Sequence, residues 1–233
     1  MYPPAWLLVV VALTFGIIAR ICVIIAFPKD GASRRRDQKG TCHLAVFLGS
    51  GGHSSEALTL VSTLDFSRYT PRTYLLSEGD SLSATKAVAL ERLKAASKQS
   101  LDPIGEYQIL TIPRARRVHQ NLLTIPVTAL RSLLASFYYV TLAPRLLGDS
   151  SKADVNVILL NGPGTCFVLC VAAYINRFLG LPSPRLVYVE TFARVRTLSL
   201  TGKLLRPIAD KFIVQWPNLL QDGGRGECHG WLV

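Results

Sequence analysis

The sequence predicts an α/β protein: a Rossmann-like parallel sheet preceded by one transmembrane helix. Three observations carry this reading. Apolar, β-branched runs alternate with helix-length segments along most of the 233 residues, the pattern of strand–helix units in a parallel sheet. Glycine clusters fall where two of those runs give way to helices, the position at which such sheets bind ligands. The first segment is apolar over about the 20 residues needed to span a bilayer.

The opening segment, taken as residues 1–28, is apolar from Trp6 to Phe27 except for Arg20. Met1 to Ala5 carry no Lys or Arg, and the run exceeds a signal-peptide core, so an uncleaved anchor is expected. Arg20 is costly in hydrocarbon; it either snorkels to the interface or sits where the span is incomplete. Residues 29–41 form a basic linker with Lys29, Arg34, Arg35, Arg36 and Lys39 against Asp30 and Asp37. An excess of positive charge beside a span marks the cytosolic side, which places the globular domain there. Net charge is +11 and 49% of residues are hydrophobic. A basic protein can meet nucleic acid, anionic headgroups or a pyrophosphate substrate. The chain has no RNA-recognition signature, zinc finger or basic repeat, and the anchor makes a membrane surface the expected partner and nucleic acid not. The five cysteines include no CxxC pair, so reduced thiols are expected and no metal site is.

In chain order the strands are expected at His43–Leu48, Arg72–Leu76, Tyr107–Ile112, Val155–Leu160, Arg185–Val189 and Lys211–Gln215. Helices are expected at Ser54–Ser62, Ser83–Ala96, Thr124–Leu142, Thr165–Phe178 and Ser199–Arg206. Together they form one domain over 42–217, followed by a tail at 218–233 that is a candidate partner-docking segment.

Ligands sit at the carboxyl ends of strands in such sheets, which directs attention to the turns. The first is Leu48-Gly49-Ser50-Gly51-Gly52-His53-Ser54-Ser55-Glu56. Its glycines allow a tight bend, and the first N–H groups of the next helix are free to bind an anion. The plain alternative is an ordinary glycine-rich turn. The second, Ser77-Glu78-Gly79-Asp80-Ser81, offers carboxylates to sugar hydroxyls or, more simply, caps the next helix. The third carries Arg114, Arg116 and Arg117 ahead of the apolar run Leu122–Leu147. That run is either a buried core helix or one that dips into the bilayer with the arginines at headgroup level; the anchor favours the second. The fourth, Asn161-Gly162-Pro163-Gly164-Thr165, repeats the glycine-rich strand–helix turn on the same edge of the sheet. Two such loops facing one cleft suit a ligand with more than one phosphate. The fifth sets Glu190 and Thr191 before Arg194 and Arg196, either binding a sugar or forming a local ion pair. The chain then runs through Val214-Gln215-Trp216-Pro217 and a glycine-rich stretch to an apolar end, Trp231-Leu232-Val233, which favours docking over exposure.

These motifs, in this order from His43 to Pro217, resemble the membrane-anchoring subunit family of the endoplasmic reticulum UDP-N-acetylglucosamine transferase, the asparagine-linked glycosylation protein fourteen family. More distantly they are similar to the acceptor half of the bacterial lipid II-forming GlcNAc transferase. The resemblance implies the N-terminal half of a split GT-B glycosyltransferase. Such a subunit anchors a soluble, UDP-GlcNAc-binding catalytic partner to the cytosolic face of the endoplasmic reticulum membrane and acts only with it. It also binds dolichyl-diphosphate-GlcNAc for addition of the second GlcNAc. About 190 residues remain after the anchor, room for one Rossmann-like domain and not two. On this reading Gly49, Ser50, Gly51, Gly52, Asn161, Gly162, Gly164 and Thr165 line the acceptor diphosphate. His53 and Glu190 are the candidate bases, Arg114, Arg116 and Arg117 meet headgroups, and Trp231, Leu232 and Val233 dock the partner; no cofactor is implied. Residues 221–230 depart from the family pattern in being glycine-rich. Two rival readings stand beside it. A membrane-anchored NAD(P)-dependent oxidoreductase would use Gly49-Ser50-Gly51, but Ser54 replaces the third glycine and no Tyr-x-x-x-Lys occurs. A purely non-catalytic recruiter would need none of the cleft residues.

Overall fold

The structure, a computed structural model, describes residues 5–26, 40–97, 106–116, 120–143, 155–162 and 164–233. The linker expected at 29–41 lies largely outside these residues, as do Arg117, Pro163 and the end of the apolar run beyond Ala143.

Helix α1 (Ala5–Ala26) is followed by a seven-stranded, wholly parallel sheet. Its strands are β1 (Leu44–Leu48), β2 (Arg72–Ser77), β3 (Tyr107–Ile112), β4 (Val157–Asn161), β5 (Arg185–Val189), β6 (Lys211–Val214) and β7 (Glu227–Cys228), in the order β3-β2-β1-β4-β5-β6-β7. The connecting helices are α2 (Gly52–Ser62), α3 (Ser81–Ser97), α4 (Ile125–Phe137), α5 (Thr165–Phe178) and α6 (Leu200–Leu205). The chain winds outward from β1 to β3, then returns to lay β4 against the other side of β1. That reversal opens a crevice between the carboxyl ends of β1 and β4, where Leu48 pairs with Asn161.

Every residue of β1 is buried, as expected for the central strand of a sheet covered on both faces. Alternation sorts the strand residues into two cores. Ala45, Phe47, Leu160 and Tyr188 pack with Leu169, Cys170 and Ala173 of α5 and Leu205 of α6. Val46, Leu48, Tyr74 and Leu76 pack with Ala57 and Val61 of α2 and Ala87 of α3.

β2 begins with a fully buried arginine. The Arg72 guanidinium donates from Nε and an Nη to the two oxygens of Glu91 on α3, at 2.8 and 2.9 Å. It also donates to the carbonyls of Phe66 and Tyr69, and stacks over the Phe66 ring with Cζ 4.2 Å from the centroid. Tyr74 donates its hydroxyl to Glu91 at 2.7 Å. Burial above all, with the Glu91 hydrogen bond and charge, pushes that phenol well above its ordinary titration range, so it stays a donor. Asp80, left by the sequence between sugar binding and capping, caps α3 by accepting the Ser83 N–H at 3.1 Å.

The apolar segment after the third turn is α4 with one π-helical turn, Tyr138–Leu142, appended. It is inverted relative to an ordinary surface helix. Ser132, Ser136, Val140 and Thr141 face inward and are buried, while Leu123, Val127, Leu130, Leu134, Tyr138 and Leu142 are exposed in a single row. α4 packs against α5, and Thr141 donates to Asn176 Oδ1 of that helix at 2.6 Å. Small hydroxyl residues one turn apart allow close helix approach. Ser132 and Ser136 keep buried hydroxyls without a partner among the described residues. Ile125–Leu142 and Trp6–Ile24 are the two helical stretches of the described residues long and apolar enough to cross a membrane. The second has mean hydropathy 2.8 over 19 residues and none of it is buried. Arg20, whose place the sequence left open, reaches the carbonyl of Arg177 near the end of α5 at 3.4 Å.

The segment 218–233 is drawn into the sheet. A 3-10 turn (Pro217–Leu220) leads to β7, which pairs with Ile213 and Val214. Arg206 and Asp222 pair across this segment at 2.5 Å, and Lys211 pairs with Glu227.

Candidate functional site

The crevice is built by two turns brought side by side. After β1, Ser50 and Gly51 both take positive φ, 67° and 57°, which bends the chain sharply into α2. Gly49 is buried beneath the turn, whereas Gly51 and Gly52 are exposed, and a Cβ on either would meet nothing within 4 Å. Gly51 is the N-cap of α2 and no side chain caps it. Its leading N–H groups therefore face open space with the partial positive charge of a helix start. After β4, Gly164 occupies the same place on α5, also without a side-chain cap and with open space above it. Thr165 is turned inward, its hydroxyl accepting the Ala115 N–H at 3.4 Å and so tying the third turn to the fourth. Burial pushes the thiols of Cys166 and Cys170 up, the latter beyond the range of ordinary titration, which leaves neither as a nucleophile.

His53 stands between the turns. Its Nδ1 is 2.9 Å from Asn161 Oδ1. Gly162 has φ 120°, and a Cβ there would lie 3.0 Å from His53 Cγ, so the imidazole sits where only glycine leaves room. Asn161 in turn donates from Nδ2 to Glu56 Oε2 at 2.9 Å. Glu56 also accepts the Thr191 hydroxyl on Oε1 at 2.7 Å and the Phe192 N–H on Oε2 at 3.3 Å. The sequence reading named Glu56 only as the end of a motif. The available signal was its spacing, three residues after His53 on the same helical face.

Glu190 is set apart from the two arginines that follow it. It is buried at 1% exposure and pairs with neither Arg194 nor Arg196, which are exposed. Its carboxylate accepts the Ser199 N–H and hydroxyl, both at 3.0 Å, and the Thr191 N–H at 3.1 Å. A Cβ on Gly202 would fall 2.1 Å from its Oε2, so α6 closes directly over it. Burial, then the Glu190 charge, pushes the Tyr188 phenol up and keeps it protonated. In this arrangement Glu190 holds the start of α6 and the fifth turn.

Arg114 is half-buried and donates from Nε to the Glu78 carbonyl at 3.0 Å; Arg116 is exposed. The chain end folds back on the fifth turn. Trp216 donates from its indole to the Phe192 carbonyl at 2.8 Å, and Trp231 lies against Trp216 with the rings tilted by 56° and centroids 5.6 Å apart. Leu232 packs on the core and donates its N–H to Gln215 at 3.2 Å, while Trp231 remains 71% exposed and Val233 is also exposed. No group of three or more metal-ligating side chains occurs among the described residues.

A parallel sheet in this order, with two glycine turns at its switch point, is a doubly wound, Rossmann-like fold. The crystal structure of MurG from Acinetobacter baumannii matches it with a TM-score of 0.50 at 15% identity, over 82% of this chain and 46% of that one. The chain thus spans about half the length of that solved structure. The family model described as oligosaccharide biosynthesis protein Alg14 like matches residues 44–232, glycine-rich segment included, and the chain belongs to that family. Similar relatives carry the name UDP-N-acetylglucosamine transferase subunit ALG14. The one from Cryptococcus neoformans is 44% identical over 90% of each chain. Those from Schizosaccharomyces pombe and Mus musculus are 43% and 42% identical, the first over 81% of this chain and 82% of the relative, the second over 82% of each.

Proposed function

We propose that this chain is the acceptor-binding, membrane-anchoring subunit of a heteromeric UDP-GlcNAc transferase of lipid-linked oligosaccharide synthesis. Its soluble partner brings the sugar donor, and the acceptor is a dolichyl-diphosphate-GlcNAc at the cytosolic face of the endoplasmic reticulum membrane. The observation that carries the reading is the pair of open glycine turns, Gly51–Gly52 and Gly162–Gly164, meeting at His53. Two uncapped helix starts suit the two phosphates of such an acceptor. His53 accepts the proton of the acceptor hydroxyl as its oxygen bonds to the anomeric carbon and the bond from that carbon to UDP breaks. The relatives' name, transferase subunit, supports a heteromeric enzyme.

The test is GlcNAc transfer to a lipid-diphosphate-GlcNAc by the full chain purified with its partner. His53→Ala is expected to cut kcat by about 10²- to 10⁴-fold, the usual worth of a general base, with the complex intact. Unchanged turnover would leave only the recruiter role.

The same reading assigns the exposed row on α4 to the bilayer, with Arg114 and Arg116 at headgroup level and α1 as the single span. Leu130 and Leu134 are 56% and 61% exposed, so charging them costs the fold little. Leu130→Glu with Leu134→Glu is expected to raise KM for a long-chain acceptor at least about tenfold, since burying each leucine is worth about 1.5–3 kcal/mol. KM for a short-chain acceptor should not move. An equal rise for both acceptors would remove the bilayer from the account.

A further inference from the structure

We propose that Glu56 is a positioning residue that sets the tautomer of His53 through the side-chain amide of Asn161. This rests on the reading of His53 as the base and adds how the base is held ready.

A carboxylate only accepts hydrogen bonds, whereas an amide presents an acceptor on one side and donors on the other. Glu56 Oε2 lies 2.9 Å from Asn161 Nδ2. Turning the amide over would set its oxygen against the carboxylate, two acceptors in contact, so Asn161 is locked in one sense. Its Oδ1 is thereby fixed 2.9 Å from His53 Nδ1. An oxygen there can only accept, and Nδ1 must carry the hydrogen. Nε2 is left with its lone pair, the atom that can take a proton from an acceptor hydroxyl. Amide and imidazole orientations are ordinarily inferred from the surrounding network; here the carboxylate at one end leaves the network a single solution.

Glu56 is itself pinned. Thr191 Oγ1 donates to its Oε1 at 2.7 Å and the Phe192 N–H joins Asn161 on Oε2 at 3.3 Å, so the half-buried carboxylate is held in place. The order carboxylate, amide, imidazole differs from a Ser-protease triad in placing a neutral group next to the ring. The ring is oriented without a charge against it. Gly162 completes the setting, its missing Cβ leaving the room that the imidazole occupies beside Asn161.

The test uses the full chain with its partner in detergent, labelled with ¹⁵N-histidine, and reads the tautomer of His53 from two-bond nitrogen–proton correlations. The His53 signals are assigned by their loss in His53→Ala. Wild type is expected to show the neutral ring protonated at Nδ1; protonation at Nε2 would overturn the proposal without any variant. Glu56→Ala frees the amide to turn and is expected to give mixed tautomers, with kcat down about tenfold and KM for the acceptor little changed. Glu56→Gln can accept from Asn161 through its oxygen and donate to Thr191 through its nitrogen, so it should restore the single tautomer and most of kcat. A Glu56→Ala protein that is slower but keeps the Nδ1-protonated ring would make Glu56 a loop support and overturn the proposal, while leaving His53 as base. Mixed tautomers in Glu56→Ala, with His53→Ala as active as wild type, would sink the base reading and leave the positioning intact.

Discussion

Alanine at position 162 is expected to lower kcat of the complex by about 100-fold, the cost of a small misplacement at a reacting centre. It should also destabilise the chain by about 1–3 kcal/mol. Two effects act together. The backbone there has φ 120°, a conformation that side-chain-bearing residues rarely adopt, and the new Cβ would stand 3.0, 3.2 and 3.3 Å from His53 Cγ, Cβ and Cδ2. The ring has to give by a few tenths of an ångström, and its hydrogen bond to Asn161 is what gives way. Gly164→Ala is the control for stability. Its φ is −54° and its Cβ would meet nothing within 4 Å, so its Tm should stay near wild type. Single-turnover transfer and thermal melts of both variants separate the effects. A Gly162→Ala complex of normal kcat would show that His53 does not need its present seat.

The second large effect is on folding. Arg72→Met removes one member of a pair whose side chains are 0% and 2% exposed and leaves Glu91 charged in the core. Breaking such a pair costs about 3–5 kcal/mol, a large part of the 5–15 kcal/mol that holds an ordinary domain together. Tyr74 alone cannot compensate, since its single hydroxyl already donates to Glu91. Replacing both partners, Arg72→Met with Glu91→Leu, removes the uncompensated charge and is expected to recover part of the loss, since the Tyr74 hydroxyl and the Phe66 and Tyr69 carbonyls then lack their partners. Urea unfolding of the full chain in detergent measures both. A single variant within about 1 kcal/mol of wild type would mean that water reaches Glu91, contrary to the buried arrangement.

The strands were legible because they are short, largely apolar or β-branched runs bounded by glycine and proline. Tyr107–Ile112 and Arg185–Val189 lie where the pattern puts them, as does the helix Thr165–Phe178. β7 was not legible. Two residues in a glycine-rich stretch carry no period, and their place depends on the edge of β6 being open beside them. The inverted helix α4 is apolar nearly all round, so periodicity could not say which side faces in. Packing against α5 decides it through Ser132 and Ser136, whose polarity points the wrong way for a sequence rule. The glycine turns were legible as turns because their backbone requirement is written in the residues themselves. Glu56 and Glu190 were not distinguishable by type: both are carboxylates near strand ends. Only the closing of α6 over Glu190 and the reach of Asn161 to Glu56 assign them different tasks.

The strand order also sets a timetable. β1, β2 and β3 are consecutive in the chain and pair as neighbours, so they can assemble as they emerge from the ribosome. β1's other edge has to wait for β4, more than a hundred residues later. Until then the most apolar strand of the protein presents an unpaired edge, the kind of surface that templates misassociation. The crevice does not exist during that interval, because Asn161 and Gly162 arrive with the strand that closes the gap. Formation of the site and protection of the newborn chain are therefore the same event, and a delay in one prolongs the hazard of the other.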